Sequence, residues 1–223
     1  MSFYARLQAE TAAERQYLTS QPFIQRALTG GLSRADYIAF LSQAFHHVKH
    51  TVPLLMACGA RLPDHHEWLR EAVAEYIEEE VGHQEWILND IAACQGDKES
   101  VRHSRPDSAA ELMVAYAYDT VTRGNPVGFF GMVMVLEGTS IAVADNAAAA
   151  IQQSLNLPNK AFSYLKSHGA LDIEHVAFFE KLMDKITDEG DQAEIIHRAK
   201  MFYQLYGNIF RDLESGSEQR QAA

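Results

Sequence analysis

The sequence predicts an all-α fold, because hydrophobic residues recur at helical spacing nearly everywhere and no run of alternating β-branched residues lies between turn signals. The links between the long periodic segments are short, which makes consecutive helices antiparallel neighbours in a bundle of about seven to eight helices. A first helix is expected from Phe3 to Leu18. In PFIQRAL, Pro22 holds the first-turn position that tolerates proline, so a short helix follows.

Ser33 and Asp36 form a capping-box pattern at the head of a long helix through AFHHVKHTVPLLMACGA, in which Pro53 should introduce a kink. Pro63 and Asp64 open the next, DHHEWLREAVAEYIEEEVGHQEWILNDIAACQG, which ends near Gly96. Ser108 is expected to cap AAELMVAYAYDTVTRG, and Gly124 closes it. A long apolar helix from Pro126 to about Leu155 carries Glu137, and Asn159 to Lys166 form a short helix or turn. The helix bearing HGALDIEHVAFFEKLMDKI should end near Gly190, with DQAEIIHRAKMFYQLYGNIFRDLE as the last. Residues 1–215 read as a single domain and residues 216–223, at the end of ESGSEQRQAA, as a disordered tail.

At 223 residues, 47% of them hydrophobic, the chain is long and apolar enough for one substantial core. Its 30 acids against 19 Lys and Arg give a formal charge of -11 with no basic stretch, a balance that repels a phosphate backbone and argues against nucleic acid. Cys58 and Cys94 show neither CxxC spacing nor the density of a disulfide framework, as expected of a reducing cytoplasm. The start, MSFYARLQAETAAERQYL, lacks the basic and apolar regions of an export signal. The run GFFGMVMVLEGTSIAVA holds a central carboxylate and several glycines, so a buried core helix is expected rather than a membrane span.

Three clusters of ligand-type residues carry the chemistry. His168, Asp172 and His175 fall at i, i+4 and i+7, which puts two imidazoles and a carboxylate on one helical stripe. The bland alternative has His168 as a cap, Asp172 in a first turn and His175 as a core histidine. Glu137 lies alone in an apolar run, where an ionised carboxylate must be paired, coordinated or neutralised. Glu80 and His83 form E-x-x-H on an earlier helical pattern, although consecutive acids usually mark a solvated face and Glu79 stands one turn from His83 as a competing ligand. Six donors, with oxygen and imidazole but no thiolate, suit two metal ions and favour iron or manganese over structural zinc. His46, His47 and His50 form a further cluster, in which His46 and His50 share a face; a base beside the metal ligands or a substrate contact is one reading, and core packing or a surface position the other. His65, His66, His103 and His197 read as surface positions.

At these residues the chain resembles the haem-oxygenase-like superfamily that includes TenA and PqqC, and most of all its di-iron oxidase branch, over about Phe23 to Arg211. In that branch one helix gives a glutamate followed by a histidine, a later one a lone glutamate, and a third H-x-x-x-D-x-x-H. Glu80 and His83, Glu137, and His168 with Asp172 and His175 match in order. The resemblance implies two Fe per chain (Mn as the substitute), dioxygen as co-substrate, Glu137 and His175 as catalytic residues, and a homodimer. It also implies a small organic substrate such as a fatty acid, an amino acid or an amine, in a dry pocket walled by Phe129, Phe130, Met134 and Phe179.

Other branches fit less well. The self-sacrificing tyrosine and the lysine of the chlamydial folate-synthesis protein fall at Ile24 and Ala147. TenA-type hydrolases carry a cysteine near Glu137, where this chain reads VLEGTS, and Phe3 to Leu18 has no histidine of the kind that binds haem in haem oxygenases. PqqC-like enzymes work without metal, which leaves the six ligand-type residues unexplained. A ferritin-like scheme wants a glutamate on the helix before the first E-x-x-H, and Ser33 to Ala60 has none. A metal-free TenA-like hydrolase or cofactor-binding protein, and a non-catalytic metal-binding helical protein, stand as the alternative functions.

Overall fold

The computed structural model describes residues 1–222, with the side chains of all of them except residues 167–175. Among the described residues there is no strand, and the helices run in the order α1 (Phe3–Glu10), α2 (Ala12–Thr19), α3 (Pro22–Leu28), α4 (Arg34–Val48), α5 (Thr51–Arg61), α6 (Glu67–Glu80), α7 (His83–Ala93), α8 (Lys98–His103), α9 (Ser108–Thr122), α10 (Phe129–Leu155), α11 (Ser163–Lys185) and α12 (Glu189–Ala222). The count exceeds the expected seven to eight because three segments that read as continuous are interrupted, and because α8 carries too little apolar periodicity to stand out.

Each interruption has a local cause. Between α1 and α2 the buried Thr11 turns its hydroxyl back onto the Leu7 carbonyl at 2.7 Å, a bond that competes with the helical ladder. Pro53 has no N–H for the Lys49 carbonyl four residues earlier and its ring crowds that carbonyl, so the chain breaks at Lys49 and His50 and restarts with Pro53 in the first turn of α5. The expected kink is therefore a full break. Between α6 and α7, Val81 (φ -62, ψ 118) and Gly82 (φ 96, ψ -6) take the dihedrals of a type II turn, whose second central residue needs positive φ and so needs glycine.

Two other boundaries move. The helix expected to end near Gly190 stops at Lys185, because the Asp188 carboxylate accepts the Asp191 N–H at 2.9 Å and caps α12 one turn early. Asp107 rather than Ser108 occupies the cap position of α9. Where the sequence offers both signals, the box at Ser33 and Asp36 closes as expected, at 3.1 and 3.0 Å.

The tail expected to be disordered instead continues α12 to Ala222. Its cause lies far off in sequence: Arg220 donates to the buried Asp36 at 2.9 Å, and Arg26 holds Asp36, Glu214 and the buried Ser217 together. Burial alone would raise the Asp36 carboxyl, but Arg220 and the Ser33 bonds outweigh it and hold it well below the usual carboxylate range.

Helix α10 runs through the middle of the bundle, packed against α11 on one side and α12 on the other. It is long and apolar enough to cross a membrane by length and composition, and its burial in the bundle accounts for that composition. Gly131 lets the α10 and α12 backbones meet: a Cβ there would lie 2.6 Å from the Ala199 nitrogen and 2.9 Å from the Ile195 carbonyl oxygen. Glu137 lies six residues further along the same helix.

Candidate metal centre

The type II turn at Val81 and Gly82 sets the first half of the site. Glu80 closes α6 and His83 opens α7, so the E-x-x-H pair spans a helix break rather than one helix face. The turn reverses the chain tightly enough to bring the Glu80 Oε2 to 3.0 Å from the His83 Nδ1. Donor atoms each about 2.1 Å from one octahedral ion sit about 3 Å apart, so this separation fits a shared metal. His83 is buried against the Trp86 ring, with centroids 4.1 Å apart.

Glu80 faces a cavity of about 660 Å³, part of it open to solvent, and Glu137 enters the same cavity from α10. Glu137 is half-buried rather than fully enclosed, since it looks onto this space instead of into the packed core. Glu79 is exposed and is not among the described residues that line the cavity, whereas Glu80 is. Two carboxylates, Glu80 and Glu137, thus share one confined space with the His47 imidazole on its wall.

His168, Asp172 and His175 fall on α11, whose backbone packs along α10 and α7. Their side chains lie outside the described residues. Tyr164, one turn before His168 on the same helix, lines the cavity. Of the aromatic wall expected, Phe129 faces the cavity with Met132 and Val133, while Phe130, Met134 and Phe179 pack in the core behind it.

Within the histidine cluster, the break after α4 sorts the three rings. His47 is buried and lines the cavity, its ring edge-on to Tyr206 at 5.7 Å. His46 turns away to Ser104 Oγ at 2.9 Å, and burial, with Lys49 and His50 beside it, lowers its pKa to about 4. His50 Nδ1 meets the Tyr118 hydroxyl at 3.0 Å, and burial and Lys49 lower its pKa as well. The shared face of His46 and His50 therefore does not point into the site.

Two features escape sequence reasoning. Tyr76, one turn before Glu80, buries its hydroxyl at the cavity wall with no hydrogen-bond partner among the described residues, and burial, with Glu137 next in weight, pushes its pKa well up. Its i, i+4 relation to Glu80 is the signal that could have found it. His66, expected on the surface, is buried, with Nε2 2.7 Å from Asp191 Oδ2, while Asn125 donates to the other oxygen at 2.7 Å. With His65 these form a second ligand-type group, away from the cavity, that ties the start of α6 to the start of α12.

Comparison with solved structures places the fold. A domain of unknown function with a heme oxygenase-like fold from Shewanella denitrificans superposes with a TM-score of 0.86 at 24% identity, over 99% of this chain and 95% of that one. A TenA homolog from Pseudomonas syringae pv. tomato gives 0.80 at 12%, over 96% and 93%. Heme oxygenase-1 from Synechocystis, solved in complex with heme, gives 0.78 at 11%, over 100% and 96%. The fold is thus haem-oxygenase-like, although α1 and α2 of this chain contain no histidine. No curated protein matches the sequence. Residues 38–207, about three quarters of the 223, match the family described as iron-containing redox enzyme, and the chain belongs to that family.

Proposed function

We propose that this protein is a non-haem di-iron oxidase, in which Glu80, His83, Glu137, His168, Asp172 and His175 hold two iron ions and dioxygen oxidises a small organic substrate. The observation that carries the reading is the convergence of Glu80 and Glu137 on one cavity, with His83 Nδ1 3.0 Å from the Glu80 carboxylate. Family membership supplies the iron and the redox class. Oxygen and nitrogen donors without a thiolate agree with iron held outside a haem or an iron–sulfur cluster.

The six residues would hold iron that, when bound, would supply electrons to dioxygen. The chain's own groups have separable tasks. Glu80 and Glu137 place negative charge where cations bind, and His83 fixes the orientation of Glu80. Phe129, Met132 and Val133 restrict water, and the Tyr76 hydroxyl can donate a hydrogen bond to a group entering the cavity. A metal-free hydrolase on the same cavity, with Glu137 as its acid–base residue, is the second reading, favoured by Glu137 and the Tyr76 hydroxyl lining one space.

Anaerobic loading with Fe(II) followed by exposure to air-saturated buffer separates the two. The oxidase binds about two irons per chain and consumes dioxygen quickly, and Glu137→Ala loses both properties. Failure to retain iron would overturn the oxidase reading and leave the hydrolase, whose activity Glu137→Ala should abolish.

A further inference from the structure

Away from the candidate metal centre, three separate stretches of chain meet around one imidazole. Pro63 precedes the 3₁₀ turn Asp64–His66, and its carbonyl accepts the His66 N–H at 2.8 Å, which sets two histidines side by side just ahead of α6. Asp191 stands in the first turn of α12, and Asn125 comes from the link between α9 and α10. None of His65, His66, Asn125 and Asp191 is among the described residues that line the cavity of Glu80 and Glu137.

The hydrogen bonds prepare His66 as a ligand. Asn125 donates to Asp191 Oδ1 at 2.7 Å, which leaves Oδ2 for His66 Nε2, also at 2.7 Å. A carboxylate in this position accepts the Nε2–H and leaves a bare lone pair on Nδ1, the arrangement that carboxylates impose on metal-bound histidines. Nδ1 is buried and has no hydrogen-bond partner among the described residues, and His66 as a whole is only 6% exposed. A structural link between His66 and Asp191 explains the Nε2 side alone. It gives no account of the unmet acceptor, which is costly to bury.

His65 brings a second donor. Its ring centroid lies 4.3 Å from that of His66, with the planes tilted by 50°. Two imidazoles bound at about 2.1 Å to one ion, at right angles, have centroids about 4.5 Å apart, so small ring rotations suffice. Donor atoms of His65, His66 and Asp191 all lie within 4.8 Å of one another, which keeps a carboxylate charge close to an ion held by the two rings. His65 is exposed, so water can reach the remaining coordination positions from that side.

We propose that His65 and His66 bind one divalent ion of the borderline class, zinc above all, with Asp191 orienting the His66 ring and balancing the charge. Imidazole donors beside a carboxylate, without a thiolate, suit such an ion. The ion clips the start of α6 to the start of α12, and its evidence is independent of the oxidase reading.

The test counts zinc per chain after dialysis of tag-free protein carrying Glu80→Ala and Glu137→Ala, which disable the cavity as a competing site. One zinc should depend on His65. In that background His65→Ala should weaken this zinc at least about tenfold, and Asp191→Asn, which keeps the shape but removes the charge, by about 10–100-fold. Zinc should also raise the melting temperature of the background protein and not that of its His65→Ala form. Because His65 is exposed, its variant should melt like its background in EDTA, and it decides the matter alone if Asp191→Asn folds poorly. In the parent chain, with the cavity intact, the same substitution should remove one zinc and leave any others. A zinc count and affinity unchanged by His65→Ala in both backgrounds, or no zinc retained in either, would overturn the proposal and leave the oxidase reading untouched.

Discussion

Gly82→Ala isolates the backbone geometry that joins Glu80 to His83. At φ 96 this residue lies where an L-amino acid is strained, yet a Cβ built on it meets no heavy atom within 4 Å. Any cost therefore comes from the backbone and not from a clash. Holding alanine in that conformation costs about 1–2 kcal/mol, and asparagine, which tolerates left-handed backbone better, costs less. The chain can respond in two ways. It can keep the turn and lose that stability, or it can relax the turn and separate Glu80 from His83, now 3.0 Å apart. Urea unfolding of the metal-free protein reads the first response, and iron affinity reads the second. The sum of the two losses should be about 1–2 kcal/mol for alanine and smaller for asparagine, in that order. A Gly82→Ala protein matching the parent in both stability and iron affinity would refute the claim that the turn positions the pair.

Three further outcomes follow from the packing and the charges. Gly131→Ala should destabilise by at least about 1–3 kcal/mol, because the added carbon meets the backbone of Ala199 and Ile195, which cannot rotate away as a side chain can; a melting temperature equal to the parent's would contradict this. Arg220→Ala removes one of the two guanidinium partners of the buried Asp36 and should lower unfolding free energy by about 1–3 kcal/mol in urea, with Arg220→Lys recovering part of it. His46 is held neutral in the fold, with a pKa of about 4 against an ordinary value of 6.5, so the unfolded chain binds more protons between these limits. Stability should be intact above about pH 6.5 and fall as pH drops toward 4, by up to about 3 kcal/mol from this group, and His46→Gln should flatten that slope in urea titrations across the range.

Much of the fold is legible in the sequence, since helical periodicity is a local property and so are Pro22 at its helix start and the Ser33–Asp36 box. The three helix breaks were less legible for different reasons. Thr11 and Pro53 act through single carbonyls four residues back, and the periodic pattern runs on across them. Gly82 reads as a weak helix residue until its neighbours' dihedrals are known. The helical tail was hidden because its anchor, Asp36, lies 184 residues from Arg220, a pairing that no window of sequence contains.

The site shows the same division. Glu80, His83 and Glu137 were readable as residue types at telling spacings, whereas the cavity that Glu80 and Glu137 line depends on how α4, α5, α6, α10, α11 and α12 meet. The choice of His47 over His46 and His50 rests on the rotation of α4 and its break before Pro53, which spacing alone cannot give. Tyr76 and Tyr206 carry no motif, and they gain meaning only as walls. His66 looked like a surface residue because its partners, Asp191 and the Asn125 that shares it, come from distant parts of the chain.

The most direct test of the central claim is Mössbauer spectroscopy on protein loaded anaerobically with iron-57 and then exposed briefly to dioxygen. The di-iron reading predicts two iron sites of equal weight that become a coupled ferric pair, silent in electron paramagnetic resonance, and that vanish in Glu137→Ala. A stoichiometric signal of isolated high-spin ferric iron, unchanged by that substitution, would contradict it.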